Sequence, residues 1–302
     1  MRANHKGVGS GGWGVGRSFL FATPVARACI SILVMLAGAA VLVPELASTD
    51  PRAIGDVLGL RFVAPGGTDA AGNWHLLGTD RFGRDIFVRM MLAARLSLIV
   101  GLAGSSLAGA LGIAAGALAG WYGGIVDRLL MALSDALLAI PRLVLLLVCA
   151  ALWQPGAWMV IAVLMATGWM GVARLVRAEV LGLRARPFAE AAYALGARPR
   201  RIVWRHILPN ALGPAVVAIT LGVGNAILLE SGLSFLGLGI QPPQPSWGNM
   251  IADGRDVIVS APWVALAPGL ALVATVLACT MLGDALRDRL AGEGVVMLGE
   301  RV

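Results

Sequence analysis

Two carboxylates, Asp135 and Glu230, lie inside long apolar stretches of this sequence. A carboxylate in membrane hydrocarbon costs at least about 2.5–3.5 kcal/mol, so it normally faces a partner or a water-filled path. We therefore expect Asp135 and Glu230 to line or gate a polar path through the membrane. The alternative is that each pairs near a membrane interface, in the case of Asp135 with Arg128 or Arg142.

Residue patterns for hydrolysis are missing from the sequence. A phosphate-binding Walker loop needs a lysine followed by Ser or Thr, whereas the only lysine, Lys6, is followed by glycine. Neither Gly-x-Ser-x-Gly nor His-Glu-x-x-His occurs, and His5, His75 and His206 are far apart. We expect no catalytic residue, no metal ion and no cofactor, and no ATP hydrolysis by this chain itself.

The composition is that of a membrane protein. Of the 302 residues, 58% are hydrophobic and 14% charged, with a mean hydropathy of +0.81; soluble domains average about 45–50% apolar and about 25% charged residues. The surplus predicts a lipid-facing surface. The net charge of +7 would also suit nucleic acid, but the arginines flank apolar runs, so we expect no nucleic-acid partner. The three cysteines also lie in apolar runs, where they are typical of small packing residues.

The apolar runs predict an all-α membrane protein with six transmembrane helices. The predicted spans are residues 25–43, 96–122, 129–152, 158–180, 211–239 and 263–282. The corresponding layout is a tail (1–23), a first transmembrane helix (24–44), an external segment (45–91), a five-helix core (92–285) and a second tail (286–302). The first run could be a cleaved signal peptide, but its length of about 19 residues is enough to span a bilayer, so we interpret it as a retained anchor.

The arginines set the orientation. With both termini cytoplasmic, 15 of the 24 basic residues fall in inner segments and six in outer ones, as the positive-inside rule requires. In the second predicted span, small residues recur every four positions at Ala108, Gly112, Gly116 and Gly120. They share one helix face and predict close helix packing rather than chemistry.

The basic loop, residues 184–210, interrupts two apolar spans and predicts two short helices. Pro187 is tolerated in a first helical turn, where the helix dipole also favours the acid Glu190. Gly196 can end this helix in the left-handed conformation, and Pro199 can begin a second one. We expect the second helix to continue until Leu208, Pro209 and Asn210 break it. The simplest alternative is a basic loop that only sets topology.

The order of residues in the basic loop resembles the EAA loop of ATP-binding-cassette (ABC) importer permeases. The matching positions are Glu190, Ala191, Ala192, Gly196, Leu208 and Pro209, and the sequence departs at His206, where the family has isoleucine, although Ile207 is adjacent. In that family the loop docks on a cytosolic ATPase and passes its motion to the membrane helices. The resemblance implies this coupling function for the six matching residues.

Two further stretches resemble the C-type membrane subunit of dipeptide, oligopeptide and nickel importers. One is Leu-Gly-Thr-Asp-x-x-Gly-Arg-Asp within 76–90, which on its own predicts a capped turn before a helix. The other is the run from Glu230 to Met250, which ends in Pro-Ser-Trp-Gly-Asn-Met. With the basic loop, the resemblance covers about residues 76–285.

The resemblance implies a type I ABC importer transmembrane fold in the bacterial cytoplasmic membrane. It also implies a homologous B-type permease subunit, two ATPase subunits and an extracytoplasmic substrate-binding protein as partners, besides membrane lipid. The expected substrates are dipeptides or oligopeptides, with nickel or glutathione as alternatives. An alternative of another class is a proton-coupled secondary transporter that uses Asp135 and Glu230, but it has no use for an ATPase-docking loop.

Overall fold

The computed structural model describes residues 24–47, 60–69 and 72–299. The predicted N-terminal tail, part of the external segment and the last three residues lie outside this range. The described chain is helical, with two isolated antiparallel bridges in the external segment. Its helices are α1 (Pro24–Leu46), α2 (Ile86–Tyr122), α3 (Gly124–Leu138), α4 (Arg142–Leu152), α5 (Ala157–Arg184), α6 (Pro187–Ala194), α7 (Pro199–Ile202), α8 (Leu208–Phe235), α9 (Trp247–Arg255) and α10 (Trp263–Gly299), with a π-helical turn (Val203–Ile207) between α7 and α8.

Five helical segments of the described chain are long and apolar enough to cross a membrane: α1, α2, α5, α10 and the continuous stretch Pro199–Phe235. The stretch predicted as the third span is divided into α3 and α4 instead. The break falls at Pro141, which has no N–H to continue the helix of α3. Its carbonyl oxygen accepts the first backbone bonds of α4, from Val144 and Leu145.

The small-residue face of α2 packs against α5, as the sequence predicts. A Cβ atom placed on Gly112 would lie 2.6 Å from both the Trp169 carbonyl oxygen and Val172 Cβ, and one on Gly120 would lie 2.9 Å from Val180 Cβ. Backbones this close are typical of helix pairs in membranes. The helices there associate through van der Waals packing, which small residues allow because they let the backbones approach. The packing prediction is confirmed.

The turn predicted before α2 is also confirmed. Asp85 caps the helix by accepting the Val88 N–H at 2.9 Å, and Asp80 accepts the N–H of Phe82 at 2.8 Å. The turn needs Gly78 and Gly83, whose φ angles are +77° and +72°, because side chains other than glycine are strained there. These contacts fix where α2 begins.

Two helix ends differ from the predictions. Pro209 does not break the chain, because α8 begins at Leu208 and Pro209 lies in its first turn. The π-helical turn connects the segments: the Leu208 N–H bonds to the Val203 carbonyl oxygen five residues earlier. The helix of the sixth predicted span does not end at 282 either, since α10 continues to Gly299.

Candidate functional site

The basic loop contains the predicted helix–glycine–helix bend. The Gly196 N–H bonds to the Tyr193 carbonyl oxygen at 2.9 Å, and the Ala197 N–H bonds to that of Ala192 at 3.0 Å. Gly196 has a φ of +79°, and the pair of bonds is the Schellman arrangement that ends a helix at a left-handed residue. Pro199 then begins α7. The sequence therefore predicts this bend correctly.

Two isoleucines anchor the second half of the loop. Ile202 and Ile207 are fully buried and pack with Val176 and Val180 of α5 and with Ala211 of α8. His206, which stands where the resemblance calls for isoleucine, is exposed. The buried position is thus filled by the neighbouring Ile207, which explains how the loop tolerates the departure.

The first half of the loop is held against the end of α2. Tyr193 stacks on Trp121, with ring centroids 6.2 Å apart and planes 4° apart. Arg184 donates to the Trp121 carbonyl oxygen at 2.8 Å, and its guanidinium lies 5.5 Å from the centre of the same ring. The loop therefore contacts α2, α5 and α8.

The outer face of the loop carries apolar side chains that the described chain leaves uncovered. Leu195 is 87% exposed and Trp204 is 67% exposed. Among the matching residues, Glu190, Ala191 and Gly196 are exposed. The other three, Ala192, Leu208 and Pro209, are half-buried. Exposed apolar groups rimmed by polar residues are typical of protein docking surfaces.

Asp135 lies exposed on α3 and is paired with Arg174 of α5. The suggested partners, Arg128 and Arg142, are wrong: Arg128 donates to the Gly124 carbonyl oxygen of its own helix, and Arg142 to Thr167 of α5. A sequence separation of 39 residues gave no local spacing from which the pair could be predicted.

A second ion pair, which sequence reasoning missed, also joins α3 to α5. Arg177 donates two hydrogen bonds to Asp127, the one from Nη2 to Oδ2 being 2.7 Å long. These bonds hold the pKa of the Asp127 carboxyl below its ordinary value, because they favour the charged form. The first turn of α3 is therefore attached to α5 by a charged contact.

Glu230 is fully buried and is held by hydroxyl groups. Ser97 of α2 donates to it at 2.9 Å and Ser234, one turn further along α8, at 2.7 Å. The Ser234 hydroxyl in turn accepts the Ile240 N–H at 2.9 Å. The network joins α2, α8 and the segment after α8. It does not include Asp135, which lies on α3 and is paired with Arg174.

The described residues contain no group of three His, Cys, Asp or Glu side chains that could hold a metal ion. His75 contacts two carboxylates, with its Nδ1 2.7 Å from Asp85 and its Nε2 3.3 Å from Asp69. This trio stabilises the external turn before α2.

Comparison with known proteins identifies related sequences. Residues 112–292 match the family described as "Binding-protein-dependent transport system inner membrane component". The chain is 44% identical to the dipeptide transport system permease protein DppC of Alkalihalophilus pseudofirmus over 216 residues, which are 72% of this chain and 71% of the relative. It is 41% identical to a putative peptide transport system permease protein of Brucella suis over 262 residues, 87% of this chain and 86% of the relative.

Two more comparisons concern an oligopeptide permease and the fold. The oligopeptide transport system permease protein OppC of Bacillus subtilis is 38% identical over 216 residues, 72% of this chain and 71% of the relative. A solved structure of the methionine ABC transporter MetNI, in an inward-facing conformation, is similar with a TM-score of 0.54 and 22% identity. That likeness covers 67% of this chain and 95% of the other, and it concerns the fold alone.

Proposed function

The chain belongs to the family of binding-protein-dependent transport system inner membrane components, as the C-type permease subunit of an ABC importer, and from this premise we propose that it transports dipeptides or oligopeptides. It is a multi-pass protein of the bacterial inner membrane. In the proposed complex it pairs with a homologous B-type permease, two ATPase subunits that hydrolyse the ATP, and an extracytoplasmic substrate-binding protein. The names of the dipeptide and oligopeptide relatives support a peptide substrate over nickel or glutathione.

The observation that supports the proposal most strongly is the helix–glycine–helix bend of the basic loop. Its outer face exposes Leu195 and Trp204 to a partner, while Ile202 and Ile207 fix its inner face to the ends of α5 and α8. A loop with one face free and the other packed into the bundle suits the transfer of motion from a docked ATPase to the spans. Glu190, Ala191, Ala192, Gly196, Leu208 and Pro209 are the residues proposed for this coupling.

We also propose the six-span layout, with both termini cytoplasmic. At a rise of about 1.5 Å per residue, the predicted span 129–152 is about 36 Å long, which is enough to cross a hydrocarbon core of about 30 Å as one broken span. The segment 45–91 then lies outside the membrane on the external side, and the core (92–285) contains the other five spans. The arginine excess in the basic loop, which the positive-inside rule places in the cytoplasm, supports this orientation.

Asp135 and Glu230 remain the proposed ionisable groups of the translocation path or its gate. Each is held by a partner in this subunit, so a gating function would act through changes in those contacts as the helices move. A proton-coupled transporter would use the same two carboxylates, but membership of the family disfavours that alternative.

The test is a charge reversal in the loop of the assembled complex. Glu190→Arg is expected to abolish both uptake of Ala-Ala and ATP hydrolysis stimulated by the binding protein, in proteoliposomes that contain all the subunits. A matched control is Asp284→Arg, since Asp284 is exposed on α10 and lies outside the loop. The Asp284→Arg control is expected to stay active. Equal activity of Glu190→Arg and an active control would refute the docking function of the loop.

A further inference from the structure

A cavity of about 200 Å³ lies between α2, α5 and α8, at the point where α4 begins. Eight of its fourteen lining residues are glycine or alanine, so the space stays open because the walls carry short side chains. Three polar side chains line it, Ser105 from α2, Arg142 from α4 and Asn225 from α8. Asn225 lies on an exposed face of α8, so the cavity is open at that side.

Arg142 brings a positive charge into this space. It is half-buried at the first position of α4, directly after the break at Pro141. Its Nε donates to Thr167 Oγ1 at 3.0 Å, and that hydroxyl donates to the Val163 carbonyl oxygen. A guanidinium has five N–H donors, and this bond uses one of them. The other four are available to a ligand.

The two carboxylates proposed for the translocation path are held by other groups. Asp135 is paired with Arg174, and Glu230 is held by serine hydroxyls. Asp135 and Asp127 are paired with arginines of α5, and among the described residues no salt bridge joins Arg142 to a carboxylate. An arginine in a span is costly unless it meets an opposite charge or a water-filled cavity, and here the structure offers the cavity.

We propose that this cavity is an anion-binding subsite on the translocation path, where Arg142 binds the terminal carboxylate of a peptide in transit. The inference rests on the proposed peptide substrate. The guanidinium fork matches a carboxylate in two parallel hydrogen bonds, and the Asn225 amide, which also lines the cavity, is a further donor.

The first experiment measures the charge of the cavity without reference to any substrate. Asn225→Cys is introduced after Cys29, Cys149 and Cys279, the free cysteines, have been replaced by alanine. The purified, assembled complex is then treated with anionic and with cationic methanethiosulfonate reagents. Relative to a free thiol, the anionic reagent is expected to be favoured by about 10-fold or more, because a charged cleft concentrates counter-ions.

Substitutions of the arginine decide the interpretation. Arg142→Gln is expected to remove the preference for the anionic reagent, and Arg142→Lys to keep it. The control Arg95→Gln, which changes an exposed arginine paired with Glu45, should leave the preference unchanged. An unchanged preference in Arg142→Gln, or a thiol that neither reagent reaches, would overturn the proposal.

The second experiment measures transport. If the wild-type complex imports Ala-Ala, Arg142→Gln is expected to lower import about 10-fold or more while the complex is recovered intact. Loss of the assembled complex would instead show that Arg142 is needed for assembly, and the subsite would be refuted. If the wild-type complex imports no peptide, the proposed substrate fails, and the thiol reagents still decide whether the cavity is an anion site.

Discussion

Gly196 provides the sharpest test of the bend in the basic loop, because conformation and space can be separated there. Its φ of +79° lies in the left-handed region, yet a Cβ atom placed on it would meet no heavy atom within 4 Å. Within this chain, any penalty for a side chain at this position therefore comes from the backbone and not from a clash.

The expected magnitudes follow from that conformation. A left-handed backbone costs an L-residue about 1–2 kcal/mol, and asparagine tolerates it better than alanine, while a β-branched residue tolerates it least. A penalty of one or two kcal/mol changes the ratio of bent to unbent loop by about 5–30-fold. Coupled transport should therefore fall in the order Gly196, then Asn, Ala and Val. Gly196→Trp should be inactive because its bulky side chain would also meet the docked ATPase.

The assay is uptake of Ala-Ala and stimulated ATP hydrolysis in proteoliposomes, with size-exclusion chromatography to show that each complex assembles. The comparison of Asn with Ala is decisive, because asparagine is the larger side chain. If Gly196→Ala is more active than Gly196→Asn, size governs the position and the glycine is needed for close approach of the ATPase. Full activity of all four variants would show that transport does not need the bend.

Three other substitutions test the contacts that support the site. Gly112→Val should destabilise the purified complex by about 1–3 kcal/mol through overpacking, which is measured as a lower thermal unfolding midpoint. The control Gly38→Val should leave the midpoint unchanged, because no heavy atom lies within 4 Å of a Cβ at that position. Equal midpoints of the two variants would refute the packing. Glu230→Ala should cost about 1–3 kcal/mol because buried serine hydroxyls lose their acceptor, while Glu230→Gln assembles normally and changes transport, and loss of assembly in the Gln variant would make the residue purely structural. Because hydrogen bonds from Arg177 lower the pKa of Asp127, their stabilisation is complete above the ordinary pKa and is lost as pH falls through the lowered one. The difference in midpoint between Asp127→Asn and wild type should thus be constant down to about pH 5 and shrink below about pH 4, and a difference that vanishes near neutral pH would contradict the assigned cause.

The sequence was sufficient for several features that depend on local geometry. The left-handed glycine at 196, the cap at Asp85 and the four-residue repeat around Gly112 each follow from the conformational limits of a few adjacent residues, and the structure contains all three. The membrane character follows equally from composition, because a soluble core does not need so much apolar surface.

The sequence was insufficient wherever a feature depends on which distant helices meet. The pair Asp135–Arg174 and the bonds from Ser97 to Glu230 join residues 39 and 133 positions apart, and no spacing rule brings such residues together. The continuation of the helix through Pro209 was missed for another reason. A wide π-helical turn places that proline in a first turn, where its missing N–H costs little.

The central claim, that an ATPase drives this subunit from the cytoplasm through the basic loop, can be tested with one introduced thiol. Ala194 is exposed at the end of α6, and Ala194→Cys in the cysteine-free protein provides a single reactive site. We predict that a membrane-impermeant maleimide labels it in inside-out vesicles and not in intact cells, and that a short bifunctional reagent cross-links it to the ATPase subunit. Labelling from outside intact cells would contradict the account.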